Sequence, residues 1–576
     1  MPVNSEIFRI YRHLFYGSPQ NKQPLQLKIA KITNPTLEGI KHQMENLLLT
    51  PGMLGIDSPT VGWLIQLAVA GILLALLLVA ADAESVPSAR TACLGREIVG
   101  HGTRCRAVGH VTAFAIGIFG YVALVAVLDR FWSATVIGAL LIILLWAGNK
   151  LKVAILKEPL VFSDVFLAGH AFKYPRLYFG YAPKWIWPVL VVAVILLVGL
   201  VAREKPIGVS LPVRGLALFL LMGVVWAVHE WSRLPSRSLR CFLEKHPLTF
   251  LANRDAVRYT PLGAAFLHIV WHSRFRMEIR KSFQYEAANP SAVEPNAGRR
   301  HVMLVQAESF CCLGKKLNRP SITPFIDSIA HVGRGGSLSL DWRGAYTMRS
   351  EFAVLTGMSP EAVESYGFDP YRLAALIPMQ SMARTMKKRG YRTIVWHPND
   401  GRFFDRNLVM PNLGFDEFWD LKKLRAVYGE RLSLMGRYAA DSVLLALAAE
   451  YLAQCREPTF LFVITMEAHG PWHADNFSGA DRISEEERYE AHLCSLDRGV
   501  RSVAHAINSG KLDGVMFLYG DHIPGLRALD DPACLADPTA ANTEWILLGS
   551  ELPNAAMPEL LRPEEVSEFL LRMSRD

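Results

Sequence analysis

Four uncharged apolar runs, residues 60–81, 111–128, 131–148 and 185–202, dominate the first third of the chain, and each is about as long as a helix that crosses hydrocarbon. A fifth run, 215–228, is short by that rule, with Arg214 at one end and His229 and Glu230 at the other placed to snorkel to the two interfaces. Five spans put the C-terminal half across the membrane from the N-terminus, whereas four would leave both on one side; the pattern is read as five. Residues 1–59 show weak helical periodicity and read as a cytoplasmic or interfacial leader. In 157–170, KEPLVFSDVFLAGH, a Pro, a Ser and an Asp interrupt an apolar context, which suggests a re-entrant or surface-lying piece. From 231 to about 281 basic and aromatic residues alternate at helical spacing, predicting juxtamembrane helices on the bilayer surface. Residues 286–300 have a linker composition. The rhythm then changes to short strand-like runs, 301–308, 391–397, 459–469, 514–522 and 543–550, separated by helical stretches. The expected organisation is an N-terminal segment (1–59), a multi-span α-helical membrane domain (60–230), juxtamembrane helices and linker (231–300) and a soluble α/β domain with a mainly parallel sheet (301–576).

Composition agrees with a membrane half joined to a soluble half: of 576 residues 51% are hydrophobic, the net charge is +8 and the mean hydropathy is +0.19. Basic residues flank the spans on both sides, so loop charge does not set orientation. The first apolar run starts too late for a cleavable signal peptide, and 60–81 would act as an uncleaved anchor. Eight cysteines include no CxxC pair, so structural zinc is not expected; Cys93 and Cys105 share a short loop that would form a disulfide in an oxidising space.

Four of the strand-like runs end in residues able to ligate metal or phosphate: Glu308, His397, His469, and Asp521 with His522. In a mainly parallel sheet these ends meet at one edge. Between them stands GAYTMRSEFAVLTG, 344–357. Its Thr347 reads either as a helix cap with Glu351 behind it or as a nucleophile at a helix N-terminus, where the dipole favours developing negative charge. Glu308, Thr347, Asp521 and His522 form a mixed oxygen and nitrogen set suited to one divalent ion, Mn²⁺, Zn²⁺ or Mg²⁺, which would lower the pKa of the threonine hydroxyl.

AESF with TPFIDSIA after it, YTMRSEFAVLTG, MEAHGPW and YGDH together resemble the lipoteichoic acid synthase and periplasmic glucan phosphoglycerol transferase group of the alkaline phosphatase and sulfatase superfamily, over about 302–550. The likeness extends to the five-span half and to the LKEPLVFSDV loop. It implies a metal, Mn²⁺ first, held by Glu308, Thr347, Asp521 and His522, with Thr347 the nucleophile. His397, Phe404 and Arg406 would hold the substrate head group, and His469 would steady the phosphoryl oxygens or protonate the leaving group. The implied reaction moves glycerol phosphate from phosphatidylglycerol to an envelope glycan or polymer. It would take place at a bacterial inner membrane, with the catalytic domain extracytoplasmic and no nucleic acid partner. Cys311-Cys312 and Met348-Arg349 depart from the polar residues expected beside the glutamate and threonine motifs. The Cys/Ser-x-Pro-x-Arg motif of sulfate ester hydrolysis is missing at Thr347. Phosphoethanolamine transfer to an envelope glycolipid stands as the alternative, and an inactive five-span scaffold as a more distant one.

Overall fold

Five apolar helices come first: α1 (Pro59–Glu84), α2 (Gly102–Leu128), α3 (Phe131–Leu156), α4 (Ile186–Arg203) and α5 (Leu211–Arg233). The computed structural model describes residues 59–85, 102–166, 186–234, 237–285, 300–342, 344, 346–472, 483–530, 539–552 and 557–574. The expected leader, the linker 286–299 and Cys93 lie outside them; Cys105 is a buried free thiol. The chain parts into two compact units, 1–70 and 71–576.

Among the described residues α1, α2, α3 and α5 contain stretches long and apolar enough to cross a membrane, and α4 is the shorter one. The run expected to fall short, 215–228, thus belongs to a 23-residue helix. The Arg214 guanidinium donates to the carbonyls of Ala126 and Val127 at 2.7 Å and lies 3.7 Å from Asp129, so its charge is used at the C-terminus of α2. Hydropathy also cut α3 short, since the helix runs on past Gly148 to Leu156. The added turns carry Asn149, which accepts from Leu160 N at 2.7 Å, and Lys152, paired with Asp164 at 2.6 Å.

Helix ends alternate between two sides. On one, Glu204 after α4 accepts from the amides of Trp132 and Ser133 at the start of α3, and Ile207 N donates to Asp129 O at the end of α2. On the other, Asp82 near the end of α1 takes the amide of Leu262 at 2.8 Å and the hydroxyl of Thr260. There three further helices follow: α6 (Arg237–Lys245), α7 (Ala252–Tyr259) and α8 (Pro261–Phe283). Expected to lie on the bilayer, they also bridge to the soluble half. From α8, Trp271 donates to Glu364 at 2.5 Å, His272 meets Ser365 at 3.0 Å and Arg280 donates to the Tyr366 hydroxyl at 2.7 Å.

The soluble domain is built on an eight-stranded sheet of β1 (His301–Ala307), β2 (Gly335–Leu338), β3 (Arg392–His397), β4 (Glu417–Asp420), β7 (Thr459–Ile464), β8 (Gly514–Gly520), β9 (Thr543–Gly549) and β10 (Leu560–Leu561). A separate small hairpin joins β5 (Leu434–Met435) to β6 (Tyr438–Ala439). Strand order is β10-β2-β9-β8-β1-β7-β3-β4. β8, β1, β7, β3 and β4 run parallel, and β9 pairs antiparallel with both of its neighbours. The central strands are apolar throughout because both faces are covered. Met303, Val305, Leu461 and Leu518 pack to one side, with helices α10 (Asp441–Gln454) and α11 (Glu485–Asn508). Val302, Leu304, Phe460, Phe462 and Phe517 pack to the other, with α9 (Thr347–Thr356) and α12 (Pro563–Met573). The four strands whose ends carry Glu308, His397, His469 and Asp521-His522 are mutually parallel, so those residues share one edge; β9, which carries no such residue, is reversed.

Candidate active site

Glu308 follows β1 and Asp521-His522 follow β8, and the two strands are hydrogen-bonded neighbours in register from His301↔Gly514 to Ala307↔Gly520. One ligand atom from each of these three buried residues lies within 4.8 Å of the others. Asp521 Oδ1 accepts the amides of Ser309 at 2.8 Å and His522 at 2.9 Å, which fixes the carboxylate and leaves Oδ2 buried without a partner. His522 Nδ1 faces Ile523 O at 3.0 Å, so Nε2 is the lone-pair nitrogen. That Nε2, also without a hydrogen-bond partner, stands 3.4 Å from Glu308 and 3.3 Å from Asp521. Burial alone would raise Glu308, yet His469 and His522 beside it and the hydrogen bond from the Ser309 hydroxyl bring it down to about 2. Burial and the Glu308 charge push Asp521 up to about 7. Burial opposes charge on His522, but Asp521 and Glu308 lift it to about 9. Two carboxylates and an imidazole this close require positive charge among them. Two orphaned ligand atoms and an oxygen, oxygen, nitrogen donor set fit one divalent cation.

Thr347 is the first residue of α9 and is buried; the N-cap is Tyr346, with no side-chain cap hydrogen bond. Its hydroxyl instead interacts with the Asp521 carboxylate and counters the rise in that pKa. Ser350, one turn on, donates to Asp521 O, tying α9 to the end of β8. Ahead of the helix, Gly344 sits where a Cβ would come 2.0 Å from Leu156 O, so only glycine lets this segment meet the end of α3. Arg349 Nη1 pairs with Glu158, just beyond α3, at 2.8 Å, with both side chains buried. Its guanidinium stacks 3.7 Å over Tyr346 and donates to Phe368 O. The loop expected to be re-entrant or surface-lying makes, over its described residues, a contact with the helix that begins at Thr347.

Arg406 is buried, with Nε and Nη2 on the two oxygens of Glu351 at 3.1 and 2.8 Å and Nη1 3.3 Å from His397 Nε2. Glu351 also accepts from Tyr371 and from Gln306 at 3.1 Å, and Tyr519 donates to Gln306. Glu351 is one turn beyond Thr347 on α9; sequence reasoning took it for a capping partner and missed it as the anion that holds Arg406. Its spacing of four from Thr347 on a buried helix was the available signal. Burial, with Arg406 beside it, holds His397 neutral, well below its ordinary value. Phe404, at φ 57°, sits 5.3 Å from the Arg406 guanidinium. His469 lies apart from this group, with Nδ1 2.6 Å from Gly470 O, which makes Nε2 the nitrogen able to give or take a proton. The unusual Cys311 and Cys312 thiols serve packing: burial pushes Cys311 up to about 12 and Cys312 further, and the Cys312 amide donates to Glu544 at 2.6 Å.

A cavity of about 490 Å³ opens onto Glu308, His469 and His522. The Sulfatase family model matches residues 300–550. Over 444 residues the chain is 28% identical to the capsular polysaccharide biosynthesis protein RkpI of Rhizobium meliloti (strain 1021), covering 71% of this chain and 80% of that one. It is 27% identical over 242 residues to a putative cyclic beta-1,2-glucan modification protein of the same organism, covering 40% of this chain and 37% of the relative. In fold it is similar to the lipooligosaccharide phosphoethanolamine transferase EptA of Neisseria meningitidis, with a TM-score of 0.50 and 14% identity over 87% of this chain and 95% of the other. Residues 300–550 are therefore similar to the Sulfatase family over the whole of that stretch, and they follow an N-terminal half whose described residues include four helices long and apolar enough to cross a membrane.

Proposed function

We propose that the protein transfers glycerol phosphate from phosphatidylglycerol to an envelope glycan or polymer, through a covalent intermediate on Thr347. The observation that carries the reading is Thr347 itself, uncapping, at a helix N-terminus and against the Asp521 carboxylate of the Glu308, Asp521 and His522 group. These residues, with the Thr347 oxygen, would hold one divalent ion, Mn²⁺ first, which when bound supplies positive charge that favours the threonine alkoxide and the phosphoryl oxygens. Thr347, its proton lost to water, bonds to the donor phosphorus as the phosphorus–oxygen bond to diacylglycerol breaks, and His469 protonates the departing oxygen. An acceptor hydroxyl then gives its proton to His469 and bonds to phosphorus while Thr347 leaves and is reprotonated from water. His397, Phe404 and Arg406 would position the head group, with the guanidinium held by Glu351 through Nε and Nη2 and by His397 at Nη1.

Glycerol phosphate is favoured over phosphoethanolamine by the cavity's charges, where Lys157, Lys315, Lys316 and Arg527 outnumber Glu485 and Glu544 outside the floor, and Trp472 is its one aromatic lining residue among the described residues. An ammonium group would want carboxylates or an aromatic cage. The names of RkpI and of the glucan modification protein support a glycan acceptor. The alternating helix ends support five crossings, with α4 the short one, and hence a catalytic domain outside the cytoplasmic face of a bacterial inner membrane. Intact mass measurement of the full chain after incubation with each lipid and metal tests the reading. A glycerol phosphate adduct on Thr347 is expected; an ethanolamine phosphate adduct would select phosphoethanolamine transfer, and no adduct with either would overturn the covalent route.

A further inference from the structure

The catalytic cavity is walled on one side by a membrane helix. Leu151, Ala154 and Ile155 of α3, spaced three and one apart and so on one helical face, line the same space as Glu308, His469 and His522. Leu151 and Ala154 are exposed there, and α3 is among the helices long and apolar enough to cross the bilayer. The same cavity is also lined by Lys315, Lys316 and Arg527.

From this we infer that the α3 face of Leu151, Ala154 and Ile155 is a subsite for the apolar part of the donor, the glycerol backbone and first acyl carbons of a phospholipid. The inference rests on the transferase reading above and adds where the lipid lies. Three observations select this occupant over a glycan. The strip is apolar and continues a helix long and apolar enough to span the bilayer, so a lipid whose glycerol and first acyl carbons lie on it can keep the rest of its chains in hydrocarbon. The polar end of the cavity, a cationic wall beside the ligand group, suits a phosphodiester at the other end of the same molecule. The strip is also rigidly placed. Gly344 packs on Leu156 O, Asn253 donates to Lys157 O at 2.9 Å and the buried Glu158–Arg349 pair ties the end of α3 to the nucleophile's helix. An amphiphile held against this wall presents its phosphorus to the floor without the head group dissolving away from the membrane.

The test uses the full chain in vesicles, with two donors measured on the same preparation: long-chain phosphatidylglycerol and a water-soluble p-nitrophenyl phosphodiester of glycerol. The unmodified protein must turn over both; if it uses neither, the transferase reading itself has failed, whatever lines the cavity. Ala154→Trp fills the strip, and Ile155→Asn makes it polar at little change in size. Both variants should lower kcat/KM for the long-chain lipid at least about tenfold relative to the soluble diester, chiefly through KM. Ile155→Val, which keeps the strip apolar, should keep the ratio within about twofold. A ratio unchanged in both Ala154→Trp and Ile155→Asn, whether the two rates hold or fall together, overturns the assignment.

Discussion

Arg406 keeps a full positive charge out of water against one carboxylate, Glu351, which in turn takes hydrogen bonds from Tyr371 and Gln306. Removing one partner of a buried pair strands the other. Arg406→Ala is therefore expected to lower unfolding stability by about 3–5 kcal/mol, read by denaturant unfolding of the full chain in detergent. Arg406→Lys keeps the charge but cannot reach both oxygens from one planar fork, and reduced turnover is expected from it. Near-normal turnover in the lysine variant would mean that the guanidinium serves only the fold. Thr347 makes no cap and fills no core gap that alanine leaves unsatisfied, so Thr347→Ala should fold, melt near the parent protein in chelator and bind metal more weakly. In the proposed reaction it should lose turnover by about 10³-fold or more and show no covalent adduct.

At the scale of elements, the first turn of α9 is held to two others, by Ser350 on the end of β8 and by Arg349 on Glu158 beyond α3. Glu158→Gln keeps the shape and one hydrogen bond while leaving the Arg349 charge without its counter-ion. The expected outcome is a lower kcat with KM for lipid little changed, and partial recovery in Glu158→Asp; equal loss in all three kinetic readouts of a Gln, Asp and Ala series would contradict it. The strands were readable in the sequence because β1, β3, β7 and β8 are short, mainly apolar and followed or ended by polar ligating residues, which is what a sheet covered on both faces requires. The far turns of α3 were not, because hydropathy stops at Asn149 and Lys150 while the backbone goes on helical, its polar groups satisfied by Leu160, Asp164 and Glu84. The partner of Arg406 was missed for a related reason: Glu351 in a first turn looks like a cap until its burial is known. Short β2 and β10 carry too few residues for any alternation to show.

Across the whole molecule, the two halves meet along α8, and one contact there titrates. Burial, with Arg372, Arg276 and Arg280 nearby, lowers His272 to about 4. Freed from the contact it would titrate near 6.5, so between about pH 6.5 and 4 the open form binds the extra proton and the docked form does not. Docking should weaken as pH falls through that window and hold steady above it, seen as rising hydrogen exchange in 261–283; His272→Asn should flatten the response. Bound metal should stabilise the catalytic half by linkage, about 2.7 kcal/mol when the ion is at a hundred times its Kd. A chelator should lower Tm accordingly, Asp521→Asn and His522→Ala should abolish the shift, and Tyr519→Phe should retain it. The continuation of α3 past Gly148 has a consequence for supply. Eight further helical residues are about 12 Å of incompressible rod, so the height of the catalytic floor above the hydrocarbon is a constant of the protein and not a distance that a tether can stretch. In the proposed reaction, an enzyme fixed at one altitude serves one leaflet. Donor in the opposite leaflet has to flip before it can be consumed, and the ceiling on flux is then set by the traffic of lipid across the bilayer and not by how much of it the cell contains.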